Sequence, residues 1–124
     1  MKLEALEKKY KEPFHDALKN KIDRYVHMVY KITLNFPKEE LYGATSQLRR
    51  SALSVALNYI EGYARRREKV NKNFLEIAYG SLKESRYLIE FAEEEKYLTN
   101  EQCKVIVGLA DEIGAMLWGI LRKL

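Results

Sequence analysis

The last quarter of the chain carries the sequence feature that most restricts its fold. Apolar side chains recur there at alternating steps of three and four, at Cys103, Ile106, Ala110, Ile113, Leu117, Ile120 and Leu124. This spacing places them on one face of an α-helix and does not fit the two-residue alternation of a β-strand. The preceding segment, Thr99-Asn100-Glu101-Gln102, has the form of a capping box. We therefore expect a helix that begins there and continues to the end of the sequence.

Three earlier segments have the same periodicity. The inward positions of the first are Leu18, Ile22, Tyr25, Val29, Ile32 and Phe36, and this helix ends near Asn35, before Pro37. Those of the second are Leu48, Ala52, Val55, Ala56, Tyr59, Ile60 and Tyr63. Those of the third are Phe74, Ala78, Ser81, Leu82, Ser85, Leu88, Ile89 and Ala92. Four amphipathic helices joined by short connectors predict an all-α fold, an antiparallel up-down-up-down four-helix bundle.

The length of 124 residues corresponds to one domain. Pro13 interrupts the first helical pattern, so we assign residues 1–12 to a charged N-terminal arm and residues 13–124 to the bundle. No segment approaches the roughly 18 uninterrupted apolar residues of a membrane span, and charges stand where a signal peptide needs an apolar core. The single Cys103 cannot form an intramolecular disulfide. These features predict a cytoplasmic protein that does not contact a membrane.

Positive charge is concentrated between the second and third helices. The formal net charge is +4, and this one connector contributes five basic residues against Glu68 alone: Arg65, Arg66, Arg67, Lys69 and Lys72. Acidic residues cluster at the far end of the third helix, at Glu90, Glu93, Glu94 and Glu95. Lys and Arg side chains bind phosphates and release condensed counterions. The connector therefore predicts a nucleic-acid-binding surface, with a solvated connector that only keeps the protein soluble as the alternative.

The sequence offers little catalytic chemistry. Polar residues beside the apolar faces of the second and third helices indicate a structural hydrogen-bond network: Arg49, Arg50, Asn58, Glu61 and Glu84. The Glu12-x-x-His15 spacing occurs in bundle di-iron sites, but those sites need a second such motif and two further glutamates. No glycine-rich phosphate loop, Ser-His-Asp set or Cys/His zinc spacing is present. We expect no catalytic residue, no metal site and no cofactor.

Several motifs together resemble a known family. They are Phe36-Pro37-x-x-Glu40-x-Tyr42-Gly43, Gln47-Leu48-Arg49-Arg50-Ser51-Ala52, Ser54-Val55-x-x-Asn58-x-Ile60-Glu61-Gly62, Arg65, and Phe74-Leu75-x-Ile77-Ala78-x-Gly80-Ser81-Leu82-x-Glu84. The pattern is similar to that of the four-helix-bundle proteins encoded in 23S ribosomal RNA intervening sequences. Their superfamily includes the accessory variability determinant proteins of diversity-generating retroelements. The resemblance is dense over residues 28–98.

The resemblance implies a cytosolic bacterial bundle that assembles as a homopentamer and has no known enzymatic activity. For the retroelement relatives it further implies binding of nucleic acid and of a reverse transcriptase through a basic surface. Arg49, Arg50 and Arg65 match the family pattern by position, whereas charge alone nominates Arg66, Arg67, Lys69 and Lys72. Ala56 stands where many relatives have proline, and Ala64 where they often have glycine. The assignment to an intervening sequence, a retroelement or neither therefore stays open.

Two functional hypotheses follow. The first is a non-enzymatic oligomeric bundle that binds nucleic acid, RNA above all, or a ribonucleoprotein, through the basic residues named above. The second is a scaffold or adaptor that recruits a protein partner through apolar helix faces, with no nucleic-acid binding. Met116 and Trp118 lie outside the apolar stripe of the fourth helix. This extra apolar surface predicts self-association.

Overall fold

The computed structural model describes residues 12–124, which form four α-helices and no β-strand. The helices are α1 (Glu12–Thr33), α2 (Ala44–Ala64), α3 (Glu68–Glu94) and α4 (Asn100–Leu121), and a short 3-10 helix, Lys38–Glu40, lies between α1 and α2. The prediction of an all-helical fold with four helices is confirmed. None of these helices is both long and apolar enough to cross a membrane. The predicted N-terminal arm, apart from Glu12, lies outside the described residues.

Each helix packs against two others. The contact between α2 and α3 is the most extensive. α4 packs against α3, and α1 packs against both α2 and α4. Contacts between consecutive helices run in opposite chain directions. His15 near the start of α1 meets Tyr59 late in α2, whereas Thr33 at the end of α1 meets Arg49 early in α2. The contacts of α3 with α2 and α4 follow the same rule.

One hydrophobic core draws on all four helices. All the predicted inward positions of α1 and α4 except the terminal Leu124 are buried, and Leu124 packs against the core while partly exposed. The prediction for Ile60 is wrong, because this side chain is 48% exposed. Ile60 follows Tyr59 and so points about 100° away from it around the helix axis. Phe74 is likewise only half-buried, and its neighbour Leu75 fills the core position.

A polar pair lies inside this core. The Ser85 hydroxyl donates to the carbonyl of Leu82 at 2.8 Å, so the Tyr25 hydroxyl donates to Ser85 Oγ at 2.7 Å. Burial raises the pKa of Tyr25 to about 12. Cys103 is also buried, and burial raises the pKa of its thiol, as expected for a cysteine that acts as a small apolar side chain.

At the acidic end of α3, the α1–α2 connector and the α3–α4 connector are joined by a hydrogen bond. Glu40 accepts hydrogen bonds from the backbone N–H of Ala44 at 3.3 Å and from the Tyr97 hydroxyl at 2.9 Å. Lys96 follows α3 with a φ of 65°, and the N–H of Tyr97 bonds back to the carbonyl of Ala92 at 2.8 Å. This left-handed residue closes the helix as a Schellman motif. Glu40 thereby joins the α1–α2 connector to the α3–α4 connector.

The predicted capping box of α4 is confirmed, and removing it should cost measurable stability. Thr99 Oγ1 accepts from the N–H of Gln102 at 3.1 Å, and Gln102 Oε1 accepts from the N–H of Thr99 at 2.9 Å. We expect Thr99→Ala to lower the free energy of unfolding by about 1 kcal/mol. Urea denaturation followed by circular dichroism measures this loss. Thr99→Ser keeps the acceptor and should stay near wild type, so an equal loss in both variants would contradict the capping role.

Candidate nucleic-acid interface

The turn between α2 and α3 is short and tightly anchored. α2 ends at Ala64 and α3 begins at Glu68, with extended backbone at Arg65 and Arg67. The Asn71 side chain, buried in the first turn of α3, donates to the carbonyl of Gly62. A Cβ at Gly62 would lie 3.2 Å from a methyl carbon of Leu75. Glycine therefore permits the close approach of α2 and α3 that sets the position of this turn.

This turn and the first residues of α3 expose most of the predicted basic residues. The side chains of Arg66, Arg67, Lys69 and Lys72 are exposed. Arg65 is held more firmly, because it forms an ion pair with Glu61 at 2.8 Å and its guanidinium lies 5.4 Å from the centroid of the Phe74 ring. Arg65 therefore covers Phe74 and has part of its charge balanced, whereas the other four side chains project a net positive charge into solvent.

The structure does not bring Arg49 and Arg50 to this turn. Both lie about 15 residues before Arg65 on α2, a separation of about 22 Å along the helix. Arg49 is half-buried, with its Nε donating to Thr33 Oγ1 at 2.8 Å and its guanidinium 4.9 Å from the centroid of the Tyr30 ring. Arg49 thus joins α2 to α1. Arg50 is exposed beside a polar groove between α2 and α3 that also contains Glu84.

Of the residues predicted to form a polar network between α2 and α3, Asn58 belongs to it, and serines that were not among them make the contact between the two helices. Its link across the helices is a hydrogen bond of 2.7 Å between the hydroxyls of Ser54 and Ser81. Asn58 donates to the carbonyl of Ser54 at 2.9 Å and to its hydroxyl at 3.0 Å. Glu61 instead pairs with Arg65 on its own helix. The hydrogen bond between the two serines could not be predicted from the sequence, because it depends on how α2 and α3 face each other.

Sequence reasoning missed one basic residue that the fold adds. Arg122, at the end of α4, lines the same groove as Lys72 of α3. The two residues are 50 positions apart in the sequence, and only the opposite directions of α3 and α4 bring them together. We call the following six residues the basic end: Arg65, Arg66, Arg67, Lys69, Lys72 and Arg122.

Charge separates along the length of α3. Its 27 residues span about 40 Å, from the basic end to the acidic residues Glu90, Glu93, Glu94 and Glu95. Within residues 12–124, no three His, Cys, Asp or Glu side chains are placed to hold a metal ion together. His15, from the Glu-x-x-His spacing, instead bonds the Tyr59 hydroxyl at 2.7 Å and stacks on Tyr63. The most distinctive surface chemistry is therefore the segregated charge.

Fold and surface together define a small four-helix protein with a cationic end. The chain belongs to the 23S rRNA-intervening sequence protein family, whose model matches residues 17–119. It is also similar to a crystal structure of a protein of unknown function from the S23 ribosomal protein family of Bacteroides thetaiotaomicron. That structure is 25% identical with a TM-score of 0.76, and the match covers 85% of this chain and 98% of the other. No curated protein matches the chain.

Proposed function

We propose that this protein is a non-enzymatic cytosolic bundle that binds RNA, alone or within a ribonucleoprotein, through the basic end. The observation that carries the proposal is the convergence of Arg66, Arg67, Lys69, Lys72 and Arg122, all exposed, at one end of the molecule. Such side chains neutralise phosphates without reading base sequence. Membership of a family named for 23S rRNA supports RNA as the polyanion.

The proposal includes an assembly. The opposite directions of consecutive helices support the up-down-up-down arrangement, and the family resemblance supports a homopentamer. An exposed apolar run lies along α2 and consists of Leu53, Leu57 and Ile60. A second copy of the chain can bury this apolar surface by packing against it. Repeating the basic end around a symmetry axis would multiply its attraction for one RNA molecule. Light scattering tests the assembly directly, and a monomer would remove this part of the proposal.

Removing three exposed charges should weaken RNA binding in a salt-dependent manner. We expect the combined variant Arg66→Ala, Arg67→Ala and Lys69→Ala to reduce the slope of log K against log salt by about 2 to 3. Arg65 stays unchanged in this variant because its side chain also packs on Phe74. Arg67 precedes α3 without a side-chain cap, so its loss breaks no helix cap. Gel-shift titration of the wild type and the variant at two salt concentrations measures the slope.

The matched control removes the same charge elsewhere. Lys31, Lys38 and Lys104 are exposed lysines toward the acidic end of the molecule. Their triple alanine variant should bind RNA with a slope close to wild type, apart from the small effect of lower net charge. An equal loss of binding in both triple variants would show that only total charge matters. Wild-type protein that fails to retard RNA at low salt would overturn the proposed function.

The exposed apolar run on α2 favours one alternative, an adaptor that recruits a protein. Leu57, in the middle of α2, is 60% exposed and lies between the exposed Leu53 and Ile60, so the three side chains form one apolar patch. The resemblance to retroelement proteins makes a reverse transcriptase a candidate partner. Under this alternative, Leu57→Glu should abolish capture of the partner, while the triple alanine variant of the basic end should not change it.

A further inference from the structure

A groove between α3 and α4 opens beside the basic end. Its volume is about 400 Å³, and its lining residues are Lys72, Glu76, Tyr79, Gly80, Trp118, Leu121 and Arg122. The Trp118 side chain is 55% exposed, and its ring centroid lies 6.1 Å from that of Tyr79. The Lys83 ammonium lies 5.2 Å from the centroid of the Tyr79 ring. An exposed indole thus stands in a groove with cations at its border.

This combination matches the chemistry of single-stranded nucleic acid. Unpaired bases stack on aromatic rings, while Lys and Arg hold the phosphates on either side. The bases of an RNA duplex are stacked on each other, so a surface tryptophan cannot reach their faces. Glu76 adds a carboxylate, which repels phosphate but accepts hydrogen bonds from the amino groups of bases. The groove therefore fits a base better than it fits a phosphate.

We propose that Trp118 is a stacking platform for an unpaired RNA base whose flanking phosphates bind Lys72 and Arg122. The inference rests on the proposed function and narrows it to RNA with unpaired nucleotides, such as loops and bulges. The exposed side chains of the basic end supply attraction to any RNA. The groove supplies the preference for single strands over duplex.

Trp118 is the only tryptophan of the chain, so its own fluorescence reports on the site. The probes are a short mixed-sequence single-stranded RNA and the same strand annealed to its complement. We expect the single strand to quench the emission of Trp118 and the duplex to leave it unchanged. Trp118→Ala should weaken binding of the single strand by about 5-fold to 150-fold and leave duplex binding unaltered. Trp118→Phe should restore most of the affinity.

A second variant blocks the groove without touching Trp118. A Cβ at Gly80 would have no atom within 4 Å, so Gly80→Leu can fill the groove without a clash at its Cβ. Gly108 on α4 offers the same open space, lies outside the groove lining and serves as the matched control. We expect Gly80→Leu to lose the preference for single strands and Gly108→Leu to keep it. Circular dichroism and light scattering verify that both variants fold and assemble.

The outcomes separate this inference from the proposed function. If the wild type binds no RNA at low salt, both fail. If the wild type binds but Trp118→Ala and Gly80→Leu leave single-strand affinity unchanged, only the stacking platform is overturned. If Trp118→Ala dissociates the assembly while Gly80→Leu binds single strands normally, Trp118 serves a contact between copies and the inference is likewise overturned.

Discussion

Replacing Leu75 by alanine is expected to lower the free energy of unfolding by about 2 to 5 kcal/mol. Leu75 is fully buried on α3 and packs directly against Gly62 of α2, under the turn that presents the basic residues. Truncation to alanine removes apolar contacts and leaves a cavity that this tightly packed region can close only in part. Urea denaturation followed by circular dichroism measures the loss.

The matched control lies two positions further along α3. Ile77 is 50% exposed, so Ile77→Ala removes a side chain of the same size from the surface and should cost less than about 1 kcal/mol. Comparable losses in the two variants would contradict the assignment of Leu75 to the core. The sequence interpretation placed Phe74 there instead, so this pair of variants also tests the corrected register of α3.

Raising the pH through the range of tyrosine ionisation should destabilise the protein by about 2 to 3 kcal/mol through Tyr25 alone. Burial raises the pKa of Tyr25 from its ordinary value of 10.0 to about 12. A raised pKa means that the folded state retains a proton which the unfolded chain releases at lower pH. The stabilisation from the protonated phenol is therefore complete below about pH 10 and is lost as the pH rises through about 12.

Tyr25→Phe isolates this contribution. The variant lacks the hydrogen bond to Ser85 and should lose about 1 kcal/mol at neutral pH, but its stability should fall less steeply above pH 10. Tyr87 is an exposed tyrosine of α3, and Tyr87→Phe is the matched control for removal of a phenol hydroxyl. Denaturation curves recorded from pH 8 to pH 12 measure how steeply the free energy of unfolding falls with pH in each protein. Identical slopes for Tyr25→Phe and wild type would refute the role of burial.

The helices could be predicted because their apolar residues repeat with the helical period. The capping box at Thr99 located the start of α4, and Pro37 limited α1. The errors fall where two large apolar residues are adjacent, as at Tyr59–Ile60 and Phe74–Leu75. Neighbours on a helix differ by about 100°, so both members of such a pair cannot point to the centre of a core. Only packing against the other helices decides which one does.

Most of the basic end was predictable for a different reason, because five of its six residues lie close together in the sequence, between Arg65 and Lys72. Arg65 was predicted as part of this surface. Glu61 stands four residues earlier, and this spacing is that of a helical ion pair, so the partial neutralisation of Arg65 could also be read from the sequence. The contact of Arg49 with Thr33 and the approach of Arg122 to Lys72 depend on tertiary structure. Local charge could therefore indicate a candidate surface, but only the fold determines its extent.

The burial of Cys103 has a practical consequence. It is the only cysteine of the chain, and its raised thiol pKa disfavours the thiolate that reacts with alkylating reagents. A cysteine introduced at an exposed position such as Arg67 would be the one thiol that a maleimide labels rapidly at neutral pH. A fluorophore or spin label can therefore be attached without first replacing the native sulfur atom.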